Sequence, residues 1–351
     1  MVRKSDRGED TCMQRSRLFQ LSLALLTILV LGGALAQRKV AVLCSVALPW
    51  CEALGPAFRQ ATGIELSFVR LPSEEALARL QTDPAKPVFD VWFGGGSNSH
   101  YQAFKNAYTQ FYRPKAYKDL RQEAKNAIGP TFIPLYQEVL GIGINRDALT
   151  KKNAPIPQCW KDLANPAYRG LIQVANPGTS GTAYTFLATL VQLFGEDDTF
   201  KFLAAMHKNV SAYTYSGVAP RTALSRGVAG IGILFMQDMV EYQKQGYPIE
   251  IISPCEGTGY AVGGLSLVYK APHPLEALEF INWAVTPEAQ VLAFKAGFFA
   301  LPSNTATPLA PGVPNPQGFK LIEFDAKKFA SPEVKGRLIE RWTKRIFSLP
   351  R

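Results

Sequence analysis

The sequence predicts an α/β protein of two lobes, each a mostly parallel sheet flanked by helices. Three observations predict it. Apolar strand-like runs alternate with helical patterns from residue 40 onward. The strand-like runs end in polar, glycine-rich segments: Ser45, residues 94–97, 178–182, 213–217 and 256–260. The chain has 351 residues, which exceeds one ordinary core and suits two domains.

The elements follow in order. Residues 40–43 form a short apolar strand. Residues 49–61 carry Leu54, Phe58 and Ala61 at helical spacing, and Gly63 stops them as the residue just past the helix end. Residues 64–69 alternate as a strand does, and Ser73 opens a helix over 74–80 with acids in its first turn. Residues 88–93 form a buried strand that ends in Gly94-Gly95-Gly96-Ser97. That β-α-β-α-β order argues for a parallel sheet. The strand-like run within 132–145 is a plausible crossover between lobes.

Further strands are expected at 171–175, 228–235, 249–252 and 261–268. Helices are expected from 159, from 182 to 194, and at 197–206, 217–226, 274–284 and 287–296. Residues 308–316 read as proline-rich and extended, and a basic helix closes the chain near 332–347.

Residues 13–36 read as a secretory signal. Arg15 and Arg17 give the basic start, 18–31 the apolar stretch, and Ala34-Leu35-Ala36 the small-x-small cleavage site. The apolar stretch is short for a membrane span, which takes roughly 20 residues. The first twelve residues are polar, so either Met13 is the start or Met1 begins an extended leader. An uncleaved anchor is the alternative. The mature protein, about 315 residues from Gln37, is expected outside the cytoplasm. It keeps Cys44, Cys51, Cys159 and Cys255, and four cysteines allow three disulfide pairings. Cys44 and Cys51 are close enough to pair across a strand-to-helix turn, and their spacing is unlike a zinc site.

The formal charge is +10, which suits an anionic solute or an anionic membrane surface. No block of five Lys or Arg points to nucleic acid. Catalysis finds little support. His100, His207 and His273 are scattered and read as surface or capping residues, and no hydrolase elbow, metalloprotease pair or phosphate loop is present. No cofactor is expected.

In open α/β sheets ligands bind outside the carboxyl ends of the strands. The polar strand ends therefore supply the candidate contacts: Ser45, Gly95, Ser97, Thr179, Ser180, Gly181, Thr182, Tyr215, Ser216, Glu256 and Tyr260, with Asp238 added. Thr179 to Thr182 form the best anion candidate, because small hydroxyl residues at a helix start combine donors with the positive end of the helix dipole. Ordinary capping by Thr179 or Ser180 is the competing reading. Tyr213 and Tyr215 share one face of an extended segment as phenol donors, metal ligands or core aromatics. Glu256 lies more than ten positions from Lys244 and Lys270, so it needs a partner from elsewhere in the fold, or a ligand.

A series of segments then carries a resemblance: residues 57–64, 89–95, 165–170, 175–177, 213–217, 256–260 and 280–290. In this order they resemble the periplasmic solute-binding proteins of ABC importers, of the ferric-iron-binding and related two-lobe type. The resemblance implies a two-strand hinge, no catalysis, a monomer, and delivery of the solute to an ABC permease. It implies lobe 1 at 37–138 plus 262–310, lobe 2 at 139–261, and a tail at 311–351 packed on both.

Iron-binding members typically offer two adjacent tyrosines with a histidine and an acid. Here Thr214 separates Tyr213 from Tyr215, and no histidine lies near Ser45, which leaves Tyr215, Glu256 and Asp238 as ferric ligands. Relatives with Glu-Gly-Thr-Gly-Tyr and Tyr-Thr-x-Ser-Gly look like binders of phosphorylated or phosphonate solutes. A small anionic organic solute is the expected ligand. Ferric iron is the alternative, and an exported enzyme on a similar scaffold the second alternative.

Overall fold

A computed structural model describes residues 38–314 and 318–350. The leader and its cleavage site at 13–36 lie outside the described residues, as does the end of the proline-rich run. The strands are β1 (Lys39–Cys44), β2 (Glu65–Arg70), β3 (Val91–Gly96), β4 (Thr109–Gln110), β5 (Ile133–Asn145), β6 (Ile172–Ala175), β7 (Val210–Thr214), β8 (Ile231–Phe235), β9 (Ile249–Ile252), β10 (Tyr260–Val268) and β11 (Leu301–Pro302).

The predicted β-α-β-α-β opening is present. β1 pairs in parallel with β2 on one side and β3 on the other. The helix Leu48–Thr62 crosses between β1 and β2. Trp50, Cys51, Leu54 and Phe58 recur at helical spacing and are buried, and Gly63 ends the helix at φ 74°. The strand expected from residue 88 begins at Val91, because Asp90 turns its carboxylate onto the Ala41 and His273 amides while Val88 is exposed.

β5 joins the two lobes. Its first half pairs antiparallel with β10, and β10 with β3. Its second half, from Leu140, pairs with β8 and β9. β8 continues to β6 and β7 in parallel. One strand thus crosses from sheet to sheet, and the segment between β9 and β10 returns beside it. This is the expected two-strand hinge. Lobe 1 closes on Val42, Phe58, Phe93, Leu265 and Phe280. Lobe 2 closes on Ile142, Trp160, Leu187 and Ile233, and the tail adds Phe329, Leu338 and Trp342 to that core.

The helices Ser97–Lys105, Gln122–Ile128, Arg146–Lys151 and Gln237–Lys244 were not expected. They are short and polar, and each buries only two or three side chains. Cys44 pairs with Cys51, and Cys159 with Cys255. The surface or capping reading of the histidines is corrected at two positions. His100 is fully buried, stacked 3.9 Å from Trp92 and bonded to Ser266 and the Gly94 carbonyl. Burial lowers its pKa to about 4. His207 is buried against Tyr213 and the Leu349 carbonyl.

Candidate functional site

The carboxyl ends of β1 and β3 lie side by side and bring Ser45 next to Gly94–Ser97. Gly94 and Gly95 take φ of 77° and 91°, where a side chain is strained. A Cβ on Gly95 would sit 2.7 Å from Ser73 Oγ and 3.0 Å from Ser45 Cβ. Only glycine lets these segments meet.

Three hydroxyl groups gather around Gly95, each accepting from a protein N–H. Trp92 Nε1 donates to Ser45 Oγ at 2.8 Å, the Gly96 amide to Ser73 Oγ at 3.1 Å, and the Gly95 amide to Tyr136 Oη at 3.3 Å. Among the described residues none of these hydroxyls donates to a protein acceptor. Each O–H is therefore left for an outside acceptor. Burial, then the nearby Glu138, pushes the Tyr136 phenol upward, so it stays a donor. Ser73 and Ser97 each begin a helix whose positive end faces this corner.

Tyr136 and Glu138 stand on one face of β5, two residues apart. The Tyr136 ring lies across Gly263, where a Cβ would come within 2.1 Å of it. Glu138 Oε1 accepts from Gln237 Nε2 at 2.9 Å. Gln237 and Asp238 open the helix that follows β8. β5 thereby presents Tyr136 to the strand ends of lobe 1 and Glu138 to those of lobe 2. Burial, then the Asp238 carboxylate, raises Glu138 to about 8. Burial raises Asp238 to about 7, with Arg221 opposing and Glu241 adding.

In lobe 2 the expected segments come together. Ser180 caps the helix Gly181–Phe194 by accepting from the Ala183 amide at 3.3 Å. A Cβ on Gly217 would lie 2.4 Å from Thr182 Oγ1 and 2.7 Å from Ser180 Oγ. Thr179 donates its hydroxyl to the Tyr215 carbonyl at 2.8 Å, so that donor is already engaged. Ser216 and Tyr215 are exposed, Tyr215 to 81%. Tyr213 packs edge-on against Trp342 and beside His207, as a core aromatic does.

Two expected contacts face the fold itself. Glu256 accepts from the Trp160 amide at 2.7 Å and the Lys161 amide at 3.0 Å, beside the Cys159–Cys255 disulfide. Its loop is covered by the tail: Thr258 pairs with Lys320 and Ile322 through the backbone. Tyr260 is buried and donates to the Glu123 carbonyl. Among the described residues the one group of His, Cys, Asp or Glu with metal-like spacing is Cys159, Cys255 and Glu256, and its two thiols are joined in the disulfide.

A cavity of about 250 Å³ lies elsewhere, lined by Arg79, Asp83, Lys86, Phe89, Tyr108 and Tyr269. It sits at the amino end of β3, away from the strand ends that carry the hydroxyl cluster.

Residues 90–328 match the family of bacterial extracellular solute-binding proteins. The chain belongs to that family. Its members serve ABC importers, and the two-lobe fold is theirs. A Haemophilus influenzae protein described only as uncharacterized is 37% identical over 323 residues, 90% of this chain and 93% of that protein. The periplasmic binding protein AfuA of Actinobacillus pleuropneumoniae, solved with fructose 6-phosphate bound, is 32% identical with a TM-score of 0.78. That likeness covers 90% of this chain and all of AfuA (100%). The periplasmic binding protein P5PA is 31% identical with a TM-score of 0.75, covering 88% of this chain and 99% of its own. AfuA and P5PA are both described as periplasmic binding proteins.

Sequence reading missed Ser73, Tyr136, Glu138 and Gln237. Ser73 was legible as a helix start but not as a neighbour of Gly95. The alternation of Tyr136 and Glu138 along the crossover strand was the signal for the other pair.

Proposed function

We propose that this family member captures a small phosphorylated organic solute between its lobes and passes it to an ABC permease. The observation that carries the reading is the hydroxyl cluster of Ser45, Ser73 and Tyr136 around Gly95. Three O–H donors at two helix starts suit a phosphate, whose oxygens only accept. Ser180 and Thr182 at the lobe 2 helix start, with Gly217 and Ser216 against them, close on the solute from the other side. AfuA, with its bound fructose 6-phosphate, supports the same class of ligand.

The leader then exports the chain to the periplasm, and the paired cysteines suit that oxidising compartment. The protein acts as a monomer. The lobes divide where β5 changes partners, with lobe 1 at 37–138 plus 262–310, lobe 2 at 139–261, and the tail at 311–351 across both.

Ferric iron is less well supported. Both Glu256 oxygens are held by backbone amides, and Tyr215 projects into solvent. Ferric iron prefers hard anionic oxygen ligands, and Asp238 alone makes a thin set.

Thermal unfolding with fructose 6-phosphate, inorganic phosphate and ferric citrate tests the reading. A ligand at a hundred times its dissociation constant adds ~2.7 kcal/mol, so the phosphorylated sugar should raise Tm. A visible charge-transfer band with ferric citrate, and no shift with either phosphate compound, would sink it.

A further inference from the structure

The cleft floor has a second polar group besides the hydroxyl cluster. Glu138, Gln237 and Asp238 bring acceptor oxygens together with few donors. Gln237 is 4% exposed. Its Nε2 is held by Glu138, and its Oε1 has no hydrogen-bond partner among the described residues. Asp238 accepts no hydrogen bond there either.

The charged and titratable groups around them are few. Arg221 approaches Asp238 but lies 3.8 Å from Glu241 and over the Tyr242 ring. Tyr136 is the neighbour on β5, and its hydroxyl lies at the Gly95 amide, from which it accepts, on the lobe 1 side. A buried acceptor left unpaired is costly, and Gln237 Oε1 is one. Glu138 and Asp238, both partly buried, share one protein donor between them, Gln237 Nε2. The two carboxylates accept no other hydrogen bond among the described residues, which leaves them open to a donor from outside the chain.

We infer that Glu138, Gln237 and Asp238 form a second subsite, which takes the hydroxyl- or ammonium-bearing end of a phosphorylated solute and rejects a solute ending in a carboxylate. The inference rests on the phosphate reading of the hydroxyl cluster. Hydroxyls and ammonium share the needed chemistry, since both donate to carboxylates. A second carboxylate brings only acceptors and a like charge, which is how a site discriminates by repulsion. Glu138 specifies the far end from the hinge strand while Tyr136, two residues earlier, serves the phosphate end.

Calorimetric titration at pH 8.5 tests it, where both acids are ionised for the most part. The probes are fructose 6-phosphate, O-phosphoethanolamine, 3-phosphoglycerate and inorganic phosphate. The proteins are the natural chain, Glu138→Gln, and Glu138→Gln with Asp238→Asn. The natural chain should bind the sugar phosphate or phosphoethanolamine at least tenfold tighter than 3-phosphoglycerate. The tighter of the two identifies hydroxyl or ammonium as the favoured donor. The double variant should narrow that preference to threefold or less while binding inorganic phosphate as before. The single variant gives an intermediate ratio and guards against misfolding of the double one. Equal binding of 3-phosphoglycerate by the natural chain, or a preference unchanged in both variants, overturns the inference alone. If no phosphate compound binds, inorganic phosphate included, the phosphate reading falls and this inference falls with it.

Discussion

Ser45, Ser73 and Tyr136 act through a division of labour within one hydroxyl group. The oxygen accepts from the protein, and the hydrogen has no protein acceptor among the described residues. Tyr136→Phe removes one such hydrogen together with the acceptor of the Gly95 amide. A hydrogen bond to a charged group contributes ~1.5–3 kcal/mol, so phosphate-compound affinity should fall at least tenfold, and the orphaned Gly95 amide should lower Tm modestly. Thr179→Ala should leave affinity within about threefold, since that hydroxyl is committed to the Tyr215 carbonyl. Calorimetry on the two variants separates them, and equal losses would refute the assignment.

The acid pair supplies a pH signature. Glu138 and Asp238 rise from 4.5 and 3.8 to about 8 and about 7 in the folded protein. Between the low and the high values the folded state holds protons that the unfolded chain has released. Stability therefore declines as pH rises from about 4 to about 8 and levels off above. Solvent screening at these partly buried acids discounts the full linkage energy, so the sign of the slope is what the measurement reads. Urea unfolding of the solute-free protein at pH 5 and pH 8 measures it, and Glu138→Gln should flatten the slope. A slope unaltered by that change would place the effect elsewhere.

At the scale of elements, the apolar strands and the amphipathic helices were legible, and the short polar helices were not. The helix Gln237–Lys244 buries Gln237, Met239 and Val240 and leaves the rest to water, so no apolar stripe marks it. Yet its start holds Gln237 and Asp238. The loop at Glu256 shows the reverse. Its glycines and its acid stood out in the sequence, and the fold uses them for close packing against Thr189 and Lys320 and for capping at Trp160. The Cys159–Cys255 disulfide fixes that loop across a sequence separation of 96. Closing so long a loop restricts the unfolded chain, so Cys159→Ser with Cys255→Ser should cost ~4 kcal/mol. The urea midpoint of the double variant reads this directly. Solute affinity should stay within about threefold, because Glu256 and the disulfide lie apart from the hydroxyl cluster. A large loss of affinity at unchanged stability would return Glu256 to the site.

For the whole molecule, β5 is the strand that both sheets share. Its first half belongs to one sheet and its second half to the other, and Tyr136 and Glu138 sit near the change of partners. A solute held by both lobes favours the closed arrangement by its differential affinity for it. Small-angle scattering should therefore show a smaller radius of gyration with saturating fructose 6-phosphate than without. Tyr136→Phe should need a correspondingly higher concentration to reach it. No contraction at a concentration where calorimetry shows binding would mean that the solute contacts one lobe only.

The sequence by itself determined the α/β class, the order of strands and helices, the crossover strand and the polar strand ends. These depend on local periodicity and on glycine, which a single chain displays. It also marked Ser45, Gly95, Thr182 and Asp238 as candidate contacts. Only the tertiary structure decided which of those groups remain free to donate or accept. Ser73 and Tyr136 reach Gly95 from 22 and 41 positions away. Gln237 meets Glu138 across 99. Hydrogen-bond satisfaction is settled by such distant neighbours, and so the free hydroxyls and the unpaired acceptors became visible only once the sheets had brought them together.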